Sequence, residues 1–475
     1  MLNFIKIIKN VVQPKVYNSV LLVALSSIAN VSYASSENSS CTQSNEFLTS
    51  DNLEALRKYY ADVNYNCDWW SPVSKALSLP LVDIDNFEYE GGFRLSAAKM
   101  LEGGDQYSTV DFSYGAMTYN PDNNSIFMAG QPTHGGIVEF PVPEIVQSTD
   151  VSDFNVSETP LQPYFRFYTQ GDAASIELTG ISTYFRITGI SKVGRSLIVS
   201  YINWYDANGS ETDTSIVIKD ADDLANSEIL GPYQIQGAAH ASGWITPIPA
   251  EWKSILGGSY IVGNQAYAAI SSRLSVGPSA FAFYPLTDMV TKQPGPVPTT
   301  PLLDFPLGNM LHDTKIYSMP SDRENILANT DRKNMLWTNK SGAAIGFILP
   351  GSRSYITIGK SGGHFSGIGY KVPQKNSGTD TPCGGPCSFD ARDNYSYYWL
   401  WDVADLMKVK YGIMQPYDVR PYSYGIFDVP VDSQIQVSSG AYDPVSKRLF
   451  LSFKGGDQES LYNRPPLILT YKSKL

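Results

Sequence analysis

The sequence predicts an all-β fold, specifically a β-propeller, and three observations support this. The chain is rich in strand and turn residues, with 31 Tyr, 38 Gly and 30 Pro among 475 residues and only 17% charged residues. A strand–turn–strand unit at residues 112–144 returns at residues 440–451, where Gly-Ala is again followed by Tyr, an Asn or Asp, Pro, a polar turn and an apolar strand. Short strands bounded by turn residues continue between the two. A unit that recurs at both ends indicates a ring of sheets closed by the two termini. A tandem of β-sandwiches is the rival architecture.

Residues 1–34 have the pattern of a signal peptide. Three lysines precede an apolar run at residues 20–31, and Ser32-Tyr33-Ala34 fits a small-residue cleavage rule. The run is too short to span a bilayer comfortably. We therefore expect a secreted or periplasmic protein that is free of the membrane once the signal is removed, and the alternative is an uncleaved N-terminal anchor.

The charge of the chain limits its partners. The net charge is −11, and removal of residues 1–34 takes away three lysines and no acid, so it becomes −14. A protein this acidic is not expected to bind nucleic acid through its overall field. An acidic substrate would also be repelled, unless a local basic patch receives it.

Residues 35–80 are predicted to form a short N-terminal cap. Cys41 and Cys67 flank a helix-like stretch at residues 51–60, for which Asp51 can serve as the N-cap. In an oxidising compartment, a disulfide between these two cysteines is the simplest expectation.

Residues 81–475 are predicted to form one propeller domain. A strand that ends in an acidic or proline-containing step, followed by a short amphipathic piece, recurs at residues 137–146, 215–228, 280–290 and 397–412, and in shortened form at 424–432. We interpret each as the last strand of a blade and its surface connection. At four strands a blade, this length gives about six to eight blades. Residues 249–256 are predicted to be a helix, since Pro suits the first helical position and two glycines follow.

Five residues are candidates for chemistry or binding. His134 lies on a Pro- and Gly-rich bend between two strands, where a histidine can act as acid or base. His240 and Trp244 lie among small residues that let a ligand come close, and the indole offers a stacking face. Tyr201 and Tyr205 lie on a strand that ends in a turn, where a phenol can bind a sugar or transfer a proton. For each, packing or a surface position is the alternative.

A further group comprises His364, Cys383 and Cys387. The cysteine spacing in Cys-Gly-Gly-Pro-Cys fits zinc ligands, and the histidine supplies a third donor. A local disulfide between Cys383 and Cys387 explains the same residues in an exported protein. Both interpretations stay open at this point.

Together these residues resemble the secreted β-propeller polysaccharide lyases of the ulvan lyase type. The resemblance implies seven blades and a structural zinc bound by the histidine and two cysteines just described. It also implies a catalytic set of His134, Tyr205 and Lys219. Lys219 stands where the family uses arginine, and no second histidine follows His134 before residue 240.

The activity implied by this resemblance is β-elimination on a uronate-containing, ulvan-like polysaccharide by a monomeric enzyme. Lys219 or Arg273 would neutralise the uronate carboxylate, His134 would take the proton beside it, and His134 or Tyr205 would protonate the leaving oxygen. Two alternatives differ in function. One is a non-catalytic propeller that binds glycan or protein, and the other is a glycoside hydrolase on the same scaffold.

Overall fold

A computed structural model describes most of the chain after the predicted signal peptide. The described residues are 49–63, 72–100, 107–132, 134–169, 185–203, 206, 209–264, 274–292, 294–312, 327–432, 435–460 and 462–475. The predicted signal peptide, Cys41 and Cys67 lie outside them, so the N-terminal disulfide stays a prediction.

Strands are the main regular secondary structure of the described residues. The first twelve are β1 (Phe87–Leu95), β2 (Met117–Asn120), β3 (Ser125–Ala129), β4 (His134–Pro141), β5 (Val156–Ser157), β6 (Gln162–Thr169), β7 (Phe185–Val193), β8 (Ser196–Asn203), β9 (Ser215–Ile218), β10 (Ile229–Ile235), β11 (Ile245–Pro247) and β12 (Tyr260–Val262). The next twelve are β13 (Ala280–Phe283), β14 (Pro296–Val297), β15 (Thr300–Leu303), β16 (Gly342–Ile348), β17 (Ser354–Gly362), β18 (Ile368–Tyr370), β19 (Pro386–Ser388), β20 (Asn394–Asp402), β21 (Ser423–Ile426), β22 (Val437–Asp443), β23 (Arg448–Phe453) and β24 (Leu467–Ser473). The α-helices are α1 (Ser50–Val63), α2 (Pro72–Leu77), α3 (Ala250–Leu256) and α4 (Val403–Lys410).

Five of the sheets are the blades of a propeller. Blade I has the strand order β2-β3-β4-β6, blade II β7-β8-β9-β10-β14, blade III β11-β12-β13-β15, blade IV β16-β17-β20-β21 and blade V β22-β23-β24-β1-β5. The inner strands contact one another in a closed ring, β2 with β7, β7 with β11, β11 with β16, β16 with β22, and β22 with β2. The predicted all-β propeller is therefore confirmed.

The ring closes through the two ends of the propeller, as the repeated strand unit indicated. β1 pairs antiparallel with β24 from Phe87 opposite Ser473 to Arg94 opposite Leu467, so one blade contains both N-terminal and C-terminal strands. The recurring unit itself provides the inner hairpins on either side of this junction, β2 with β3 in blade I and β22 with β23 in blade V. Their inner strands are joined by the Met117 amide, which donates to Ser439 Oγ at 3.3 Å.

The expected count of seven blades is not supported, since the described residues form five. The recurring strands at residues 137–146, 215–228, 280–290 and 397–412 contain β4, β9, β13 and β20, which are each the third strand of a blade rather than the last. Long connections separate these strands from the fourth ones. Dividing the chain length by the length of a typical four-stranded blade counts these connections as further strands, so it overestimates the number of blades.

Second and third strands such as β3, β8 and β9 are almost continuously buried, because each face of a blade packs against a neighbouring blade. All five residues of β3 are buried, and so are all of β9 and all but the last of β8. A two-sided interior removes the alternation expected of a half-exposed strand.

The helices predicted at residues 51–60 and 249–256 are confirmed as α1 and α3. Apolar residues of α1 and α2 pack with those of α3 and α4 in one core cluster around three fully buried tryptophans, Trp252, Trp399 and Trp401. Full burial of one such side chain contributes about 3 kcal/mol. Across the described residues, no helix combines the length and apolarity that crossing a membrane requires.

The blades define two faces. We call the face where the inner strands begin the upper face and the one where they end the lower face. A cavity of about 320 Å³ occupies the lower mouth of the central channel, lined among others by Tyr119, Lys192, Trp244 and Tyr442. The upper mouth carries the groups considered next.

Candidate functional site

Four basic side chains lie at the upper ends of strands from three blades, and we call them the cationic cluster. Arg186 is the second residue of β7, Lys340 precedes β16, Lys360 is near the end of β17, and Lys454 follows β23 directly. Inner strands begin at the upper face and second strands end there, so this topology brings together residues far apart in the sequence.

Tyr114 holds two members of the cluster together. The Lys454 ammonium lies 3.8 Å from the centroid of the Tyr114 ring, and the Arg186 guanidinium carbon lies 5.7 Å from the same centroid. The electron-rich face of an aromatic ring attracts cations at these distances. Tyr114, which precedes β2, thus links blade I to blades II and V at the mouth.

The lysines of the cluster lose part of their proton affinity. Burial and the neighbouring charge of Lys340 lower the pKa of Lys360 to about 8. Burial, with the charges of Lys360 and Arg186, lowers the pKa of Lys454 to about 8, and burial also lowers the pKa of Lys340. Each of these charges acts on the next, so the cluster is one electrostatic unit.

The cluster gathers four basic side chains at one mouth of an acidic protein. In the part of the chain that the structure describes, no ion pair joins Lys340 or Lys360 to a carboxylate. Like charges brought together in a partly desolvated site cost free energy, and a bound anion would offset that cost. The upper mouth is therefore the local basic patch that an acidic substrate would need.

A histidine–aspartate pair lies on the same face, in blade III. His240 sits in a short 3-10 turn between β10 and β11, and its Nδ1 lies 2.7 Å from Asp304 Oδ1, just after β15. The side chains are 18% and 23% exposed. Because the carboxylate only accepts, Nδ1 is the donor to Asp304, and Nε2 is the nitrogen that can accept a proton when the ring is neutral. This is the orientation required of a general base.

Of the catalytic set expected from the sequence, the structure places two members on opposite faces. The backbone of His134 begins β4 and pairs with Thr169 at the upper face, while its side chain lies outside the described part of the chain. Lys219 follows β9 near the β7–β8 turn at the lower face, where its Nζ lies 2.8 Å from Glu228 Oε2. Tyr205 and Arg273 lie outside the described residues. Lys219 is therefore not brought together with His134.

Two of the expected binding residues are buried. Tyr201 is 2% exposed in β8, and burial, reinforced by the charges of Asp213 and Glu211, raises the pKa of its phenol. Trp244 is 4% exposed, its ring packs on the backbone of Gly263, and it lines the lower cavity. Neither side chain offers a face to a ligand on the upper surface, whereas His240 does lie there.

The zinc site is not confirmed. Cys383 and Cys387 form a disulfide, one of the two alternatives that the sequence left open. His364 is 1% exposed, with Nδ1 3.0 Å from the Asn334 carbonyl oxygen and Nε2 2.7 Å from Ser361 Oγ. A disulfide offers no thiolate, and both imidazole nitrogens have partners, so this arrangement does not fit the metal. Among described residues, no other group of three or more His, Cys, Asp or Glu is placed to hold one.

The cationic cluster was not among the predicted sites, although its lysines share a signal in the sequence. The three lysines stand at strand ends and are each followed by a small residue and a glycine, as Lys340-Ser341-Gly342, Lys360-Ser361-Gly362 and Lys454-Gly455-Gly456. Glycine at the third position permits close packing, since a Cβ added to Gly362 would lie 2.5 Å from the Asp393 carbonyl oxygen and one added to Gly456 would lie 2.8 Å from Leu467 Cβ. Asp304, in contrast, had no local signal, because its partner lies 64 residues away.

Comparisons with known proteins give no family. No protein-family model and no curated protein matches the chain. Among solved structures, a luciferin-regenerating enzyme is similar at a TM-score of 0.30 and 7% identity, covering 83% of this chain and 95% of its own. U3-55K is similar at 0.27 and 10%, covering 77% and 96%, and an engineered GH43 glycoside hydrolase at 0.21 and 10%, covering 77% and 72%. Likeness at this level carries no argument about activity.

Proposed function

We propose that the upper mouth binds a uronate-containing polysaccharide and cleaves it by β-elimination. The observation that carries this proposal is the cationic cluster, because it concentrates positive charge at one mouth of a protein with a net charge of −11. Uronate carboxylates spaced along a polysaccharide complement such a cluster, whereas a neutral glycan does not.

The cluster supports elimination for a chemical reason. The proton on the carbon beside a uronate carboxylate is weakly acidic while the carboxylate keeps its full charge. Lys340 and Lys360 would neutralise that charge, so that negative charge can develop when the proton leaves. A glycoside hydrolase instead relies on two carboxylates flanking the bond, and a surplus of lysines does not serve that chemistry.

His240 is the proposed base, because Asp304 orients its ring and it lies on the face that carries the cationic cluster. Its Nε2 would accept the proton, and Asp304 would stabilise the imidazolium through Nδ1. The electrons of the C–H bond become the new carbon–carbon double bond, the bond to the glycosidic oxygen breaks, and that oxygen takes up a proton. Tyr205 remains the proposed acid for this last step, and His134 remains a second proposed base.

The test is incubation of the purified protein with ulvan, alginate, polygalacturonate and a neutral glycan as control. A lyase produces an unsaturated uronate that absorbs in the ultraviolet, and we expect this only with uronate polymers. New reducing ends without absorbance would indicate a hydrolase, and binding without product would indicate a binding protein. Either result would overturn the elimination proposal.

The matched variants are Lys360→Gln and Lys219→Gln. Loss of the Lys360 charge at the upper mouth is expected to lower kcat/KM at least tenfold, since charge-assisted contacts contribute about 1.5–3 kcal/mol. Lys219 lies at the lower face beside Glu228, so its variant is expected to retain full activity.

A further inference from the structure

Blade IV carries an insertion between β17 and β20, at residues 363–393, which begins three residues beyond Lys360. It exposes three large aromatic side chains, Phe365 at 62%, Tyr370 at 68% and Phe389 at 40%. β17 ends at the upper face and β20 starts there, so the insertion lies on the face that carries the cationic cluster.

Hydrogen bonds and a disulfide fix the backbone of the insertion, although its aromatic side chains are exposed. Asp393 Oδ2 accepts hydrogen bonds from the amides of Phe365 at 3.1 Å and Ser366 at 2.7 Å, and from Ser366 Oγ at 2.7 Å. β18 and β19 form a hairpin, and the disulfide closes the turn before β19. The backbone that carries the aromatic side chains is thus ordered before any ligand arrives.

Glycines shape the surface beside Phe389. The Phe389 amide donates to the Gly367 carbonyl oxygen at 3.0 Å, which fixes the residue against the hairpin. A Cβ on Gly369 would lie 3.0 Å from the Phe389 ring, so the ring rests on bare backbone. The ring is supported from below while part of it stays open to solvent.

The insertion also carries a positive charge of its own beside one of these rings. The Lys371 ammonium is 5.3 Å from the centroid of the Tyr370 ring, so the hairpin presents an aromatic face next to a cation. Sugar rings have apolar faces that stack on aromatic side chains, and uronates add a carboxylate that pairs with a cation. Aromatic faces and cations on one insertion therefore match the chemistry of a single ligand, an acidic sugar chain.

We infer that residues 363–393 form a sugar-stacking subsite that extends the upper mouth and holds further residues of an acidic polysaccharide. This inference rests on the proposed function. It adds that binding depends on chain length, because a single uronate reaches the cationic cluster alone, whereas a longer chain also covers Phe365 and Phe389.

The experiment measures the affinity of the full chain for glucuronate and for a uronate hexasaccharide by calorimetry. Phe365→Ala and Phe389→Ala are expected to weaken hexasaccharide binding about threefold to tenfold each, the range typical of one aromatic contact. Glucuronate binding should not change. Phe365→Tyr should retain full affinity, since stacking needs only the ring. Tyr284→Ala is the control, because Tyr284 is 45% exposed but lies at the lower face.

Two outcomes separate this inference from the proposed function. If Lys360→Gln weakens both ligands while the two phenylalanine variants bind the hexasaccharide like wild type, the subsite is refuted and the cationic mouth stands. If Lys360→Gln changes neither affinity, the proposed function itself fails. A hexasaccharide that binds no more tightly than glucuronate to the wild-type protein would also refute the subsite.

Discussion

Arg448 donates two hydrogen bonds of 2.6 Å to Glu90, from Nε to one carboxylate oxygen and from Nη2 to the other. Arg448 opens β23 and Glu90 lies in β1, so the pair joins strands from the two ends of the propeller across β24. The two side chains are only 22% and 28% exposed, and the fork-to-fork geometry is the strongest form of this ion pair.

We expect Glu90→Gln to lower the free energy of unfolding by about 1–3 kcal/mol at neutral pH, because it leaves a half-buried guanidinium without its charge partner. Chemical denaturation measures the change. Glu88→Gln is the matched control on the same strand, since its partner Lys474 forms an exposed pair that contributes about 0–1 kcal/mol. Equal effects of the two variants would contradict a special role for Arg448.

The pH dependence follows from the same pair. The hydrogen bonds from Arg448 lower the pKa of Glu90 below its ordinary value of 4.5, against the opposing effect of burial. A carboxyl with a lowered folded pKa stabilises the protein above its unfolded pKa, and this contribution is lost as the pH falls through the folded pKa. The difference between wild type and Glu90→Gln should therefore shrink below about pH 4.5.

The ring closure could be predicted because it leaves a local mark. Tyr, an Asn or Asp, and Pro recur shortly after a Gly-Ala pair, at residues 115–121 and 440–444. They mark the first hairpin of blade I and of blade V, which are neighbours in space. The geometry of a turn depends on a few adjacent residues, so a short sequence pattern is enough to detect two turns of the same kind.

The blade count and the site were harder to predict, for different physical reasons. The recurring pattern marks the third strand in blades I to IV, but its shortened copy at residues 424–432 falls on β21, the fourth strand of blade IV. Counting by chain length, in turn, treated long insertions as blades. The site depends on which strand ends share a face. His134 begins the third strand of blade I and Lys219 follows the third strand of blade II, and because third strands run from the upper to the lower face, the two residues lie on opposite faces. The direction of a strand within its blade decides which face a residue reaches, and no local sequence pattern shows that direction.

Gly189 marks a point where two blades approach as closely as backbones allow. A Cβ at this position of β7 would lie 1.9 Å from the carbonyl oxygen of Gly243, which precedes β11. We expect Gly189→Ala to destabilise the protein by about 1–3 kcal/mol, the usual cost of overpacking, and to lower the melting temperature. Gly384→Ala is the control, since nothing lies within 4 Å of its added Cβ. Equal stability of both variants would show that blades II and III separate easily.

Binding of an acidic ligand should depend on pH through the cationic cluster. Lys360 and Lys454 have pKa values of about 8, so both are mostly protonated at pH 7 and mostly neutral at pH 9. An anion binds the protonated form, and its affinity should therefore fall as the pH rises through about 8. Calorimetry with a uronate oligosaccharide from pH 6.5 to 9.5 measures this. A constant affinity over that range would contradict the assignment of the site.

Removal of one charge from the cluster should stabilise the protein without ligand. Burial disfavours charged Lys360 in the folded state, so its folded pKa is below that of the unfolded chain and the protonated group opposes folding between the two values and below. We expect Lys360→Met to raise the melting temperature at pH 7 and to raise it less at pH 10. The same variant should bind acidic oligosaccharides at least tenfold more weakly. A lower melting temperature at pH 7 would indicate that Lys360 has a structural role instead.

The role of the His240–Asp304 pair can be separated from binding. If Nε2 of His240 removes the proton, His240→Ala should lower kcat about 10²- to 10⁴-fold, the usual contribution of one acid–base group, while the affinity for a uronate oligosaccharide changes little. Asp304→Asn keeps the shape and one hydrogen bond but removes the charge that stabilises the imidazolium, and we expect an intermediate loss of kcat. Appearance of the unsaturated product gives kcat, and calorimetry gives the affinity. His134→Ala serves as the comparison, because that residue is the other proposed base and its backbone lies at the upper face. A full loss of kcat in the His134 variant with normal turnover in the His240 variant would transfer the role to His134.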